Sequence, residues 1–195
     1  MRIIALSGSA RHGKDTAALY IKEALEARGK RVLVTHYADL LKYICKTFLG
    51  WNGEKDKLGR SMLQRVGTDI VRKKKPDFWV KFIADVLDLF KNQWDYVVIA
   101  DARFPNEIHY LRKKGYEVIH ALVLRTQFES PLTSEQQAHA SETALDHISP
   151  DYMLLNTTLD EFQKAINTFV SDIFSGKIAG LKPEQISFFE NQEGV

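Results

Sequence analysis

Short apolar runs recur along the chain and alternate with longer stretches in which apolar residues return every three or four positions. The runs predict five β-strands, at Ile3–Ser7, Val32–His36, Tyr96–Ala100, Val118–Leu124 and Tyr152–Leu155. Short strands that read as continuous apolar runs are typical of a parallel sheet that is buried on both faces. The pattern therefore predicts a three-layer α/β fold, with a mainly parallel five-stranded sheet between two layers of helices.

Stretches with the apolar spacing of a helix lie between these runs. They predict helices from Lys14 to Arg28, after Asp39, from Ser61 to Lys74, after Pro76, from Phe104 to Lys114 and from Leu159 to Ile173. Residues 40–92 hold three of these helices where a simple alternation needs one, so they form a helical insertion. Residues 126–150 are polar and predict a short lid. Residues 176–195 predict a C-terminal appendage, either a further helix or a partly ordered end, on one domain of residues 1–195.

Composition narrows the class of protein. Lys and Arg number 27 against 25 Asp and Glu, so the net charge of +2 gives no general attraction to nucleic acids or membranes. No apolar run approaches the roughly 20 residues that span a bilayer. The single cysteine, Cys45, excludes an internal disulfide. These features predict a cytoplasmic protein with small-molecule partners and without a nucleic-acid or membrane partner.

Residues 8–16 read Gly-Ser-Ala-Arg-His-Gly-Lys-Asp-Thr, between the first predicted strand and the first predicted helix. The glycines let the backbone curl so that its N–H groups face one anion, and the helix start adds unpaired N–H groups. Lys14 supplies a mobile positive charge for phosphate oxygens. The motif predicts a phosphate-binding loop for a nucleoside triphosphate. Its members are Gly8, Ser9, Ala10, Arg11, His12, Gly13, Lys14, Asp15 and Thr16.

One position of this loop departs from the usual pattern. A Ser or Thr normally follows the lysine and supplies a hydroxyl ligand to Mg²⁺. Here Asp15 stands in that place, and the hydroxyl comes one residue later, at Thr16. A carboxylate there either binds Mg²⁺, directly or through water, or lies beside the group that accepts the phosphate. The sequence leaves both interpretations open.

A second candidate group follows the third predicted strand. Asp101 ends an apolar run, and ligands of open α/β sheets bind beyond the carboxyl ends of the strands. An acid there either organises Mg²⁺ and its water shell or caps the next helix. Arg103 lies at the same rim, where a guanidinium stabilises charge on a transferring phosphoryl group. The sequence thus predicts a magnesium site formed by Asp15, Thr16 and Asp101.

Several segments carry a family resemblance. They are Gly-Lys-Asp-Thr at 13–16, Tyr-Ala-Asp-Leu-Leu-Lys at 37–42, Leu-Gln-Arg-Val-Gly-Thr-Asp at 63–69, Asp-Ala-Arg-Phe-Pro-Asn-Glu at 101–107 and His-Ala-Ser-Glu at 139–142. Over roughly residues 1–160 the chain resembles the phage-type deoxynucleoside monophosphate kinases. The resemblance implies a P-loop kinase that moves the γ-phosphoryl group of ATP, with Mg²⁺, onto a deoxynucleoside 5′-monophosphate. For a phage-encoded chain it also implies the host cytoplasm.

The resemblance also implies that residues 40–92 bind the acceptor. Arg65 and Arg72 are seven residues apart, which puts them on one face of an unbroken helix, as a two-arginine clamp for a phosphate needs. The alternative is that both arginines are solvated. The candidate acceptor-binding residues are Asp39, Lys42, Gln64, Arg65, Arg72, Trp79 and Arg103. Two more of them also have structural interpretations, since Asp39 suits a helix cap and Trp79 fits a core stripe.

The candidate catalytic residues are Lys14, Asp15, Arg103 and Arg125, of which Arg125 opens the lid and would close over the triphosphate. Two other functions remain open from the sequence. One is another small-molecule P-loop kinase, acting on dephospho-coenzyme A or phosphomevalonate. The other is an ATP-binding switch without an acceptor. The sequence leaves open which base is accepted and whether the chain forms a homodimer.

Overall fold

The computed structural model describes residues 1–126, 128–130 and 132–180. The described residues form one sheet of five strands, namely β1 (Arg2–Ser7), β2 (Val32–Thr35), β3 (Tyr96–Ile99), β4 (Glu117–Arg125) and β5 (Tyr152–Asn156). The strand order is β2-β3-β1-β4-β5, and every neighbouring pair is parallel. The predicted α/β fold is confirmed, and each predicted strand end lies within one residue of the observed one. Most of the predicted appendage, residues 181–195, lies outside the described residues.

Helices cover both faces of this sheet. They are α1 (Lys14–Glu26), α2 (Ala38–Phe48), α3 (Lys57–Gln64), a π-helix (Arg65–Arg72), α4 (Phe78–Leu89), α5 (Pro105–Lys113), α6 (Ser134–Gln137), α7 (Ala140–Thr143) and α8 (Leu159–Phe174). Helices α1 and α8 pack on one face, whereas α2, α4 and α5 pack on the other. None of the helices in the described residues is both long and apolar enough to cross a membrane.

The central strand shows how the sequence fixes the register of the sheet. Ile4 and Leu6 belong to the apolar cluster under α1 and α8, whereas Ile3 and Ala5 belong to the cluster on the other face. All four side chains are fully buried. A slip of one residue would turn each of them to the wrong layer. Burial therefore holds the carboxyl ends of β1, β3 and β4 at one edge, where their loops meet.

The predicted helix over residues 61–74 is wrong in its start and in its geometry. Helix α3 begins earlier, because the side chain of Asp56 accepts the backbone N–H of Gly59 at 2.7 Å and so caps its first turn. From Arg65 onward the hydrogen bonds widen to the π pattern. Short π segments inside α-helices occur frequently at functional sites.

Candidate active site

The backbone conformation of the phosphate loop requires glycine at two positions. Gly8 has φ of +133° and Gly13 has φ of +97°. A Cβ at Gly8 would lie 2.3 Å from the carbonyl oxygen of Val123, and one at Gly13 would lie 2.5 Å from Nδ2 of Asn156. Asn156 also donates to the carbonyl of His12 at 2.9 Å. The ends of β4 and β5 therefore brace the loop from outside.

Lys14 folds back over this loop. Its Nζ donates to the carbonyl oxygens of Gly8 at 2.6 Å and Ser9 at 2.9 Å. Burial, assisted by the positive charge of Arg103, lowers the pKa of Lys14 to about 8. A desolvated ammonium has a strong electrostatic preference for an added anion.

A chain of alternating acidic and basic side chains joins the phosphate loop to α2. Oδ1 of Asp15 lies 3.0 Å from Nε2 of His36, and Nδ1 of His36 lies 3.2 Å from Oδ2 of Asp39. Lys42 donates to the other oxygen of Asp39 at 2.9 Å. The contact with His36 lowers the pKa of Asp15, and the same contact raises the pKa of His36. These pKa shifts favour a carboxylate facing an imidazolium.

Asp101 holds the start of the same helix α2. Its two carboxylate oxygens accept the backbone N–H groups of Tyr37 at 2.7 Å and Ala38 at 3.0 Å. The alternative that Asp101 caps the helix following it is wrong. That cap belongs to Glu107, whose Oε2 accepts the N–H groups of Arg103 at 2.6 Å and Phe104 at 3.1 Å.

Arg72 is engaged by protein groups. Its Nη2 donates to Oε1 of Glu107 at 2.5 Å, and its Nη1 donates to Oδ1 of Asn106 at 3.1 Å. The guanidinium lies 3.9 Å from the ring centroid of Phe104. Glu107 is only 2% exposed, and burial raises its pKa to about 7 even though Arg72 opposes the rise. Arg72 thus neutralises a buried carboxylate at the cavity wall.

The predicted clamp of Arg65 and Arg72 does not form. Arg65 is exposed and lies outside the residues that line the main cavity, whereas Arg72 lines it. The seven-residue spacing aligns two side chains only at the α-helical period, and the π-helix has a wider turn. Arg60 and Lys55 line the cavity instead. Neither of these cations is among the residues predicted from the sequence.

The main cavity has a volume of about 880 Å³ and runs from the phosphate loop to the helical insertion. This volume is near the top of the range of about 300–1,000 Å³ for small-molecule sites. Its wall includes most of the predicted site residues, namely Ala10, Arg11, Gly13, Lys14, Asp15, Thr16, Lys42, Gln64, Arg72, Trp79, Asp101, Arg103 and Arg125. Gly8, Ser9, His12, Asp39 and Arg65 are not part of that wall.

Trp79 serves the core as well as the cavity wall. It is 3% exposed, and its Nε1 donates to the carbonyl of Gly67 at 3.0 Å. Gly67 in turn lies against α2, since a Cβ there would meet the side chain of Leu41 at 2.6 Å. The π-helix, α2 and α4 are therefore packed together by a glycine and a tryptophan.

Two arginines flank the phosphate loop. The guanidinium of Arg125, at the end of β4, lies 5.0 Å from the ring centroid of Phe128. Arg103 pairs with the carboxylate of Glu142 from α7 and also donates to the carbonyl of Ser141 at 3.0 Å. Glu142 accepts the backbone N–H of Ala10 at 3.2 Å. The predicted lid thus touches the loop through the carboxylate of Glu142, and also through Phe128, whose ring lies edge-on to the ring of His12 at 5.6 Å between centroids.

Within the part of the chain that the structure describes, no three His, Cys, Asp or Glu side chains cluster as a protein-only metal site would require. The donors at hand are the hydroxyl of Thr16 and the carboxylates of Asp15 and Asp101, all on the cavity wall. Hard oxygen donors in small number suit Mg²⁺, which keeps several waters and takes further ligands from substrate phosphates.

A parallel sheet of this order, with a glycine loop and an inward lysine at its carboxyl edge, is an α/β kinase fold. The family model described as deoxynucleotide monophosphate kinase matches residues 36–166. The chain belongs to the deoxynucleotide monophosphate kinase family.

Individual relatives agree with this assignment. A protein of Acanthamoeba polyphaga mimivirus, provisionally named a deoxynucleotide monophosphate kinase, is 30% identical over 200 residues, covering 88% of this chain and 97% of that protein. The deoxynucleotide monophosphate kinase of enterobacteria phage T4 is 33% identical over 113 residues, covering 56% of this chain and 44% of that enzyme. A sugar kinase of a Janibacter species shares the fold alone, with a TM-score of 0.51 at 11% identity over 88% of this chain and 93% of that chain.

Proposed function

We propose that this chain transfers the γ-phosphoryl group of ATP to a deoxynucleoside 5′-monophosphate, giving ADP and a deoxynucleoside 5′-diphosphate. One observation carries the proposal. A single cavity joins the phosphate loop, with its inward Lys14, to a helical lobe that presents the separate cations Lys55 and Arg60. A second positive region facing the first is what a phosphate-bearing acceptor needs, and an ATP-binding switch has no use for it.

The phosphoryl transfer requires little covalent chemistry from the protein. An oxygen of the acceptor phosphate forms a bond to the γ-phosphorus while the bond from that phosphorus to the β,γ-bridging oxygen breaks. The electron pair of the broken bond leaves with ADP. A phosphate monoester is already a nucleophile near neutral pH, so alignment and charge neutralisation carry the catalysis.

The donor site is the phosphate loop. The N–H groups of residues 8–13 and the start of α1 hold the phosphate oxygens, and Lys14 exchanges its carbonyl partners for them. Arg103 and Arg125 add positive charge from two sides. Bound Mg²⁺ would neutralise charge on the β- and γ-phosphates, and Thr16 and Asp101 are the residues that would hold it.

Asp15 belongs to the acceptor side of the site in this proposal. Its carboxylate is directed to His36, which leads into α2, and His36 links it to Asp39 on that helix. Lys42, Lys55, Arg60 and Gln64 supply donors for the acceptor phosphate, sugar and base. Trp79 forms an apolar wall, and Arg72 acts through Glu107 by fixing the turn that carries Arg103.

The test is ADP release with ATP, Mg²⁺ and a panel of acceptors. The panel contains the deoxynucleoside monophosphates, the matching ribonucleotides, dephospho-coenzyme A and phosphomevalonate. We expect stimulation by at least one deoxynucleoside monophosphate. Stimulation by dephospho-coenzyme A or phosphomevalonate alone would replace the proposal with another small-molecule kinase, and ATP binding without stimulation by any acceptor would favour a switch.

A further inference from the structure

The carboxylate of Glu142 lies where the phosphate loop would hold an anion. Its Oε2 accepts the N–H of Ala10 at 3.2 Å, and its Oε1 pairs with the guanidinium of Arg103. The ammonium of Lys14 also interacts electrostatically with it. The side chain of Glu142 is only 8% exposed. A loop N–H, a lysine and an arginine, the three kinds of group that bind phosphate, thus share one internal carboxylate.

The charges around the phosphate loop explain why an acid lies there. The loop concentrates N–H dipoles, and the pKa of Lys14 is lowered first by burial and then by the positive charge of Arg103. A carboxylate among these groups offsets their mutual repulsion without any ligand. It also ties α7 of the lid to the loop.

We infer that Glu142 is a positioning residue that occupies the phosphate subsite of the free enzyme, stores Arg103 beside it, and is displaced when a triphosphate binds. The inference rests on the proposed function, since it concerns the donor site of that reaction. A carboxylate and a phosphate oxygen both accept hydrogen bonds, so they compete for the N–H of Ala10 and for the guanidinium. Arg103 therefore changes partner, and its release from Glu142 frees α7 of the lid from the loop.

The structure has room for the displaced side chain. A second cavity, with a volume of about 490 Å³, lies beside the main one. Arg103, Ser141 and Glu142 line both cavities and so form the wall between them. Leu145 and His147 line the second cavity on the lid side. Glu142 can turn toward this space while the phosphates take its place.

The deciding experiment measures binding without an acceptor. Calorimetry gives the Kd of ATP and of inorganic tripolyphosphate for the wild-type chain and for Glu142→Gln, which keeps size and removes charge. We expect both ligands to bind the variant more tightly, on the order of tenfold, because they no longer compete with a charged group. The KM for ATP should fall without a rise in kcat. Glu135→Gln, at an exposed position of α6, is the matched control and should leave both Kd values unchanged.

Equal or weaker binding by Glu142→Gln would overturn the inference, since weaker binding means that Glu142 assists the nucleotide. A second measurement needs no variant. Hydrogen exchange at the amides of residues 140–144 in the wild-type chain should speed up when tripolyphosphate binds, and unchanged or slower exchange would contradict the displacement. The proposed function fails separately, if the wild-type chain binds ATP and transfers no phosphate to any deoxynucleoside monophosphate.

Discussion

Nε2 of His36 lies 3.0 Å from Oδ1 of Asp15, and this contact ties the phosphate loop to the start of the acceptor lobe. Asp15 takes the place of the hydroxyl that usually follows the loop lysine. Its pKa is lowered by the imidazole, so it remains a carboxylate throughout the neutral range. Asp15 therefore has a partner on the acceptor side, and substitutions at Asp15 and His36 can test its role.

Replacing Asp15 with Asn should lower kcat by on the order of 100-fold, because the carboxylate that positions the acceptor beside the γ-phosphate is lost. His36→Gln should lower kcat less, since Asp15 then keeps its charge and loses only its orientation. Steady-state kinetics at varied Mg²⁺ measure both effects. Asp160→Asn, at an exposed position of α8, is the matched control and should match the wild-type chain. A rise in the Mg²⁺ concentration needed by Asp15→Asn would show instead that Asp15 is a metal ligand.

The pKa of Lys14, about 8, predicts a pH effect on ATP binding. Below that pH the free enzyme already carries the charged ammonium that the phosphates favour. Above it the ammonium is mostly deprotonated, so ATP binding must take up a proton and the affinity falls as pH rises. Calorimetry at about pH 8.5, in buffers of different ionisation enthalpy, should detect this uptake. Lys14→Met should abolish it, and an uptake that persists in Lys14→Met would assign the proton to another group.

Arg60 and Arg65 form a matched pair for testing the helical insertion. Arg60 lines the cavity, whereas Arg65 is exposed outside it. Arg60→Gln should raise the KM for the acceptor by about ten- to a hundredfold, the range expected when a hydrogen bond to a charged group is lost. Arg65→Gln should leave that KM within about twofold. The reverse order of effects would restore the clamp that the seven-residue spacing suggests.

Alanine substitutions at Gly13 and Gly29 distinguish the cost of backbone strain from the effect of crowding at the phosphate loop. Both glycines have positive φ, +97° and +71°. A Cβ at Gly13 would meet Asn156 at 2.5 Å, whereas a Cβ at Gly29 would meet nothing within 4 Å. Both alanine variants should therefore lose about 1 kcal/mol or more of unfolding free energy. Only Gly13→Ala should also lose ATP affinity, as thermal unfolding with and without ATP will measure. Equal ATP-induced shifts in Tm for the two variants would contradict this account of the loop.

The sequence predicts the sheet well because each strand is a continuous apolar run with its own signal. The phosphate loop is equally readable, since its glycines, lysine and flanking elements are adjacent in the chain. The π-helix has no comparable signature, because its apolar spacing also fits an α-helix. The position of Arg65 outside the cavity could therefore not be predicted. The partners of Arg72 and Asp101 also escape prediction, because Glu107 and the N–H groups of α2 meet them only through the tertiary fold.

The central claim is that a phosphoryl group moves from ATP to a deoxynucleoside monophosphate. Incubating the chain with Mg²⁺, ATP labelled with ³²P at the γ-phosphate and each deoxynucleoside monophosphate in turn tests this transfer directly. The account predicts label in a deoxynucleoside diphosphate, with the label lost in Lys14→Ala while the far-UV circular dichroism is retained. Label that appears only in inorganic phosphate, or wild-type transfer by Lys14→Ala, would contradict it.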